Sequence, residues 1–188
     1  MKVLGICGSP RKGGNTEFAL NTTLEAIRSE GIETELIRLA DSAVKPCVAC
    51  YGCTDGRCIR NDSTFDAIYE KCIAADGLLV GSPVYFGSAT PQIMSLLDRV
   101  GFVARRNGNL LRRKVGASIA VARRAGTNFT FAQLNYFFLI AEMIVPGSTY
   151  WNGGIALERG EIAKDEEALQ TFTNLGKNMA WLLKKVSE

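Results

Sequence analysis

The chain opens on an unbroken apolar run. Residues 2–7 show no alternation of polar positions and stop at Gly8. A short run of this kind suits a strand buried on both faces, as at the centre of a parallel sheet. After a glycine-rich turn a helix is predicted from about Thr16 to Ser29, its apolar positions Phe18, Ala19, Thr22, Leu24 and Ile27 only roughly helical in period and Gly31 a fitting stop. Residues 33–39 alternate, Thr34, Leu36 and Arg38 against Glu35 and Ile37, which predicts a second strand. Asp62 or Ser63 can cap a helix reaching about Ala75, and Ser63 with Asp66 has capping-box spacing. Residues 77–82 predict a third strand, and Pro91 suits the first turn of a helix continuing to about Val100. A fourth strand over 115–122, a helix over 128–142, a short strand near 144–151 and a closing helix over 164–185 complete the chain.

Strands alternating with helices predict an α/β fold with a parallel sheet covered on both faces by right-handed crossovers. Five strands fit a doubly wound, three-layered sheet of order 2-1-3-4-5, whose ligands sit outside the carboxyl ends of the strands. No repeat or linker divides residues 1–188, so a single domain is expected, with a cysteine-rich loop at 46–61. The chain is 47% hydrophobic and 22% charged, ordinary for a soluble protein. Its net charge of +3 is spread without a run suited to nucleic acid. Arg105-Arg106 and Arg112-Arg113-Lys114 read as solvated loop charge. The N-terminal apolar run is too short for a signal peptide, and no stretch is long enough to cross a bilayer. A cytoplasmic protein with neither nucleic-acid nor membrane partners is expected.

The absence of histidine removes whole classes of chemistry: a Ser–His–Asp triad, a histidine general base, a Cys/His zinc finger and a Rieske-type centre. What remains is a loop and a platform. Gly8-Ser9-Pro10-Arg11-Lys12-Gly13-Gly14-Asn15-Thr16 lies between strand and helix, where helix-start amides and the helix dipole bind phosphate. Gly13 and Gly14 allow close approach, Ser9, Asn15 and Thr16 offer neutral hydrogen bonds, and Arg11 offers charge. The lysine of a Walker loop and the G-x-G-x-x-G dinucleotide fingerprint are both missing, which leaves a monophosphate cradle. On the same sheet edge the third strand ends in Ser82-Pro83-Val84-Tyr85-Phe86-Gly87, whose aromatic pair suits a flat ring. The loop after the fourth strand brings Arg123, Arg124 and Gly126 to that edge, where an arginine can stabilise negative charge on a bound ring.

These segments together resemble the NADPH-dependent FMN reductase branch of the flavodoxin-like superfamily, on GSPRKGGNT, GSPVYFG and Asp98-Arg99. The resemblance covers nearly the whole chain. It implies FMN, with Ser9, Arg11, Gly14, Asn15 and Thr16 at the phosphate and Pro83, Val84, Tyr85, Phe86 and Gly87 along the isoalloxazine. Asp98 and Arg99 are read as structural. No side chain is assigned as catalytic, because the flavin carries the chemistry.

Cys47, Cys50, Cys53 and Cys58 form C-x2-C-x2-C-x4-C, with Gly52 and Gly56 relieving a tight backbone. Repeated short spacing lets several sulfurs surround one compact object, as in ferredoxin runs, and fits zinc less well. The segment is similar to the cysteine motif of the iron–sulfur flavoproteins, which implies a [4Fe-4S] cluster beside FMN; zinc and unliganded thiols stay open. Cys7 and Cys72 read as buried small hydrophobes. The expected function is an FMN oxidoreductase passing electrons between NAD(P)H or a redox protein such as ferredoxin, the cluster and an acceptor. The alternatives are a cluster-free NAD(P)H-dependent FMN or quinone reductase and a flavodoxin-type electron carrier. The helix at 128–142 holds more large apolar residues than one core-facing stripe accommodates, which predicts a homodimer or homotetramer.

Overall fold

The computed structural model describes residues 1–42, 44–60 and 62–187; Asn61, the last residue of the expected cysteine-rich loop, lies outside them. The elements run β1 (Lys2–Cys7), α1 (Asn15–Ser29), β2 (Glu33–Arg38), α2 (Ser63–Ala74), β3 (Gly77–Pro83), α3 (Pro91–Arg106), β4 (Val115–Ala122), α4 (Thr127–Ile140), β5 (Gly153–Ile155) and α5 (Glu166–Val186). Short 3-10 turns at Leu39–Asp41 and Glu161–Lys164 follow β2 and precede α5. All strand pairs are parallel and the order is β2-β1-β3-β4-β5, the flavodoxin-like arrangement.

The two faces of the sheet explain the continuous apolar runs. Along β1, Leu4 and Ile6 join a core under α2, α3 and α4, while Val3 and Cys7 join a second core under α1 and α5. Every residue of β4 is buried, whereas β2 is only partly covered, as suits an edge strand. Helix α1 buries Ala19, Leu20, Thr23, Leu24 and Ile27, and leaves Phe18 exposed. It lies so close to α5 that a Cβ at Gly176 would stand 2.5 Å from the Thr23 carbonyl oxygen.

Three expectations change. The fifth strand is not near 144–151: there only Ile144 forms an isolated bridge, to Val115. Pro146 and Gly147 break that apolar stretch, and β5 forms at Gly153–Ile155 instead. Its glycines are needed for packing, since a Cβ at Gly154 would lie 2.5 Å from Ile162 Cδ1. Helix α3 continues past Val100 to Arg106, because Val103 and Ala104 extend its buried stripe and Gly101 admits the Phe137 ring. Arg105 and Arg106 are therefore helical. Lys114 is not solvated loop charge either. Its Nζ donates to the carbonyls of Ile73 and Ala75 at 2.9 and 2.5 Å, closing the end of α2, and burial pushes its pKa down.

Candidate functional site

Helices α2 and α5 start under side-chain caps, Asp62 accepting from the Phe65 amide and Asp165 from the Ala168 amide. Helix α1 has no such cap. Its first amides follow a loop shaped by Gly13 at φ +61° and by Gly14, where a Cβ would stand 3.0 Å from the Arg11 carbonyl. Uncapped amides at a glycine-built turn are what an anionic phosphate needs. The Ser9 hydroxyl accepts from the Arg11 amide at 3.2 Å and shapes the turn. Thr16 is buried, and its hydroxyl has no partner among the described residues. Glu17 accepts from the Gly13 amide at 2.8 Å and pairs with Arg38 at 3.1 Å, holding the loop from the β2 side.

The Asn15 side chain faces elsewhere than the sequence suggests. Its Nδ2 donates to the Glu158 carbonyl at 2.8 Å and its Oδ1 accepts from the Gly160 amide at 2.9 Å. Arg159 donates to the Lys12 carbonyl at 2.8 Å. The segment after β5 thus buttresses the phosphate loop, and only the backbone amide of Asn15 remains for a ligand. Sequence reasoning missed this brace because nothing in residues 158–162 carries a binding pattern.

The expected ring platform stands at the carboxyl end of β3. Tyr85 and Ser88 exchange backbone hydrogen bonds at 2.8 and 3.0 Å around Phe86 at φ +52° and Gly87 at φ +77°. A bulky residue rarely sits in the left-handed region, and strain of this kind gathers at functional sites. The Phe86 side chain is wholly in solvent, at 108% exposure. Gly126, at φ +93°, brings the next loop against the turn: a Cβ there would stand 2.8 Å from Val84 Cγ1 and 3.4 Å from the Gly87 Cα. Arg123 and Arg124 are exposed on that loop. The Thr90 hydroxyl, just before α3, donates to the Gly8 carbonyl at 2.7 Å and joins platform to phosphate loop. The fold thus brings the phosphate loop, the aromatic turn and the arginine loop to one edge.

The cysteine loop behaves differently. It leaves the sheet edge after β2 and packs against α3, with Cys53 and Cys58 on the core under α2 and α3. The Asn107 side chain, ending that helix, accepts from the Gly56 amide at 2.9 Å and donates to the Cys53 carbonyl at 3.4 Å. Arg99 donates to the Lys45 carbonyl and to Cys58 Sγ, both at 3.3 Å. The Ala49 amide donates to Cys47 Sγ at 3.4 Å. Ala49, Tyr51 and Asp55 all take positive φ, besides Gly56 at +70°. Glycine relief at Gly56 is thus joined by strain at three residues the sequence did not single out.

Cys47, Cys50, Cys53 and Cys58 line one small cavity with Arg99, Phe102 and Val103. Burial, and then the neighbouring Cys58, Cys47 and Cys50, push the Cys53 thiol up. Crowded thiols with N–H donors on two of the sulfurs are a donor set that fits a thiophilic metal group. Among the described residues no three or more Cys, Asp or Glu side chains are arranged so that they could hold a metal ion. Cys7 and Cys72 are buried, and burial pushes their pKa values to about 11 and about 12. They behave as small hydrophobes. Arg99, read from sequence as merely structural, proves to be the link between α3 and this loop. The available signal was a charged residue at a register position between Leu96 and Val103 on the buried stripe.

Among the described residues no helix is long and apolar enough to cross a membrane. An iron–sulfur flavoprotein of Methanocaldococcus jannaschii is 42% identical over 196 residues, with both chains covered completely. One of Methanosarcina thermophila is 36% identical over 190 residues, covering 100% of this chain and 98% of its own. Among solved structures, a flavone reductase superposes with a TM-score of 0.76 at 21% identity; all of this chain aligns to 65% of that one. An archaeal flavodoxin superposes with a TM-score of 0.66 at 16% identity, covering 98% of this chain and 99% of its own. The family model for NADPH-dependent FMN reductases matches residues 1–158, spanning the phosphate loop, the aromatic turn and the arginine loop, and the chain belongs to that family.

Proposed function

We propose that the protein is an FMN-dependent oxidoreductase whose cysteine loop holds a [4Fe-4S] cluster through Cys47, Cys50, Cys53 and Cys58. The observation that carries the reading is that these four thiols, spread over the C-x2-C-x2-C-x4-C segment, line one cavity in a fold of the FMN reductase family. The names of the full-length relatives support it. When bound, the two groups supply two-electron flavin and one-electron cluster chemistry, which lets a protein join donors of different kinds.

The chain's own residues have defined tasks in this reading. The α1 amides, the Ser9-shaped turn, Gly14, Thr16 and Arg11 hold the phosphate. Pro83 to Gly87 line the ring, Gly126 permits their close approach, and Arg123 and Arg124 place positive charge beside it. Arg99 and Asn107 fix the cysteine loop on α3.

The donor is NAD(P)H or a redox protein such as ferredoxin, and cytoplasmic chemistry suits free thiols. The geometry favours a partner copy. Helix α3 starts at the phosphate loop, and Arg99 lies eight residues along it, on the order of 12 Å from its first residue. The loop thus runs down the helix away from the phosphate-loop end of its own chain, which supports a route through a second copy.

Anaerobically purified protein tests the assignment. Flavin absorption with a broad iron–sulfur shoulder, and FMN released on heating, are expected. FAD as the only released flavin would refute the monophosphate cradle. Flavin bands with no iron or acid-labile sulfide would leave a cluster-free reductase. Replacing Cys50 by Ala should abolish the cluster and leave FMN bound.

A further inference from the structure

Arg99 is only 2% exposed, and it is the largest fully buried side chain among the described residues. One NH2 group of its guanidinium, Nη1, donates to Asp62 Oδ2 at 2.5 Å and to the Lys45 carbonyl at 3.3 Å. The other, Nη2, donates to Cys58 Sγ at 3.3 Å. The plane lies over the Phe65 ring, with Cζ 3.8 Å from its centroid. Nε is buried and has no partner among the described residues.

A clamp between α2, α3 and the loop would need only the carboxylate and the carbonyl. It would not need a donor on a sulfur, and it would not leave a buried N–H orphaned at a cost. Nor is Asp62 wholly given to the cation, since it also accepts from the Phe65 amide at 3.2 Å as the cap of α2. The guanidinium therefore has donor capacity beyond what the carboxylate and carbonyl use. It brings that capacity, and its charge, into the lining of the thiol cavity. Four thiolates around a metal group are strongly anionic, and arginine keeps its charge at any ordinary pH.

We propose that Arg99 is the positioning and charge-balancing residue of the four-thiol site, orienting Cys58 and making the site easier to reduce. The inference rests on the cluster reading above. Reduction of the site by an external one-electron reductant adds one negative charge and transfers no atom. A buried cation hydrogen-bonded to a ligating sulfur stabilises the more negative form, so it raises the midpoint potential. Phe65 and Val103 keep water from screening that charge, both being fully buried.

The test uses the full chain, wild type beside Arg99→Met and Arg99→Lys, each reconstituted anaerobically with iron and sulfide and titrated with dithionite. Cluster and flavin midpoints are read separately, by electron paramagnetic resonance and by absorbance. In Arg99→Met the cluster midpoint should move to more negative potential, while FMN content and the flavin midpoint stay put. Arg99→Lys keeps the charge and loses the fork, and should fall between the two. A loaded Arg99→Met protein with an unchanged cluster midpoint overturns the proposal and leaves Arg99 a clamp. Failure of both variants to bind iron, with FMN retained and wild type loaded, also overturns it in favour of a purely scaffolding role. Wild-type protein that takes up neither iron nor sulfide overturns the four-thiol reading and this inference with it.

Discussion

Two residues carry costs that their surroundings must offset. Asp62 is the counter-anion of a buried guanidinium, and burial raises its pKa. The Arg99 and Phe65 hydrogen bonds outweigh that and leave the carboxyl below its ordinary value. Its contribution is therefore complete above the unfolded carboxylate range and is lost as pH falls through the lower folded value. Asp62→Asn keeps an oxygen to cap α2 but strips the anion from Arg99. We expect it to destabilise the fold by about 3–5 kcal/mol at neutral pH, as for other broken buried pairs. Its denaturant midpoint should also change less than wild type's between neutral and strongly acidic pH; parallel curves would show that the pair contributes nothing. Phe86 is the second case. A left-handed conformation costs an ordinary residue about 1–2 kcal/mol, and this ring contacts nothing that would offset it. Phe86→Gly should raise the melting temperature of the FMN-free protein and weaken FMN binding. Unchanged affinity, by fluorescence titration, would remove Phe86 from the ring platform.

At the scale of elements, α3 organises the molecule. Its first turn is tied to the phosphate loop through Thr90, and its far end to the cysteine loop through Asn107. Asn107→Ala frees the Gly56 amide and the Cys53 carbonyl together, leaving the phosphate loop untouched. Amide exchange across 46–60 should speed up by about tenfold or more for the roughly 1.4 kcal/mol of local stability lost, with FMN affinity unchanged. Exchange rates equal to wild type would mean that the Asn107 contacts do not hold the loop. How much of this was legible in sequence differs by element. β1, β3 and β4 were readable because a strand buried on both faces of a parallel sheet is a short continuous apolar run. β5 was not, because Gly153-Gly154-Ile155 has no period, and its position is set by the contacts of Gly153 with Thr127 and of Gly154 with Ile162. The cysteine motif announced itself by spacing, but no spacing tells which helix a loop will lie on. The Arg99 and Asn107 contacts that decide it span 41 and 51 residues of sequence. Asn15 shows the same limit: its type suited a phosphate, yet its amide is engaged by a loop 143 residues away.

At the scale of the whole molecule, α4 leaves an apolar face uncovered. Helix α4 buries only Thr130, Leu134 and Phe138, and leaves Phe129, Tyr136, Leu139 and Ile140 exposed. Tyr136, Phe137 and Ile140 continue into a groove against α3, lined there by Met94, Leu97 and Phe102. A lone helix does not keep so many large apolar groups in water without a covering partner. Phe102 of α3 lines both this groove and the thiol cavity, so a second copy seated on this face would lie beside one chain's thiols. We expect a dimer or tetramer by sedimentation at micromolar concentration. Tyr136→Glu combined with Ile140→Glu should shift the protein toward monomer. Both side chains are exposed, so folding stability should change by only about 0.5 kcal/mol per site, and FMN should remain bound. Flavin reduction by a small chemical donor should survive in the monomer, while reduction through the cluster by ferredoxin should fall steeply. A wild-type protein that sediments as a monomer would sink the neighbour route, and so would a monomeric variant that accepts electrons from ferredoxin at the wild-type rate, since the path would then lie within one chain.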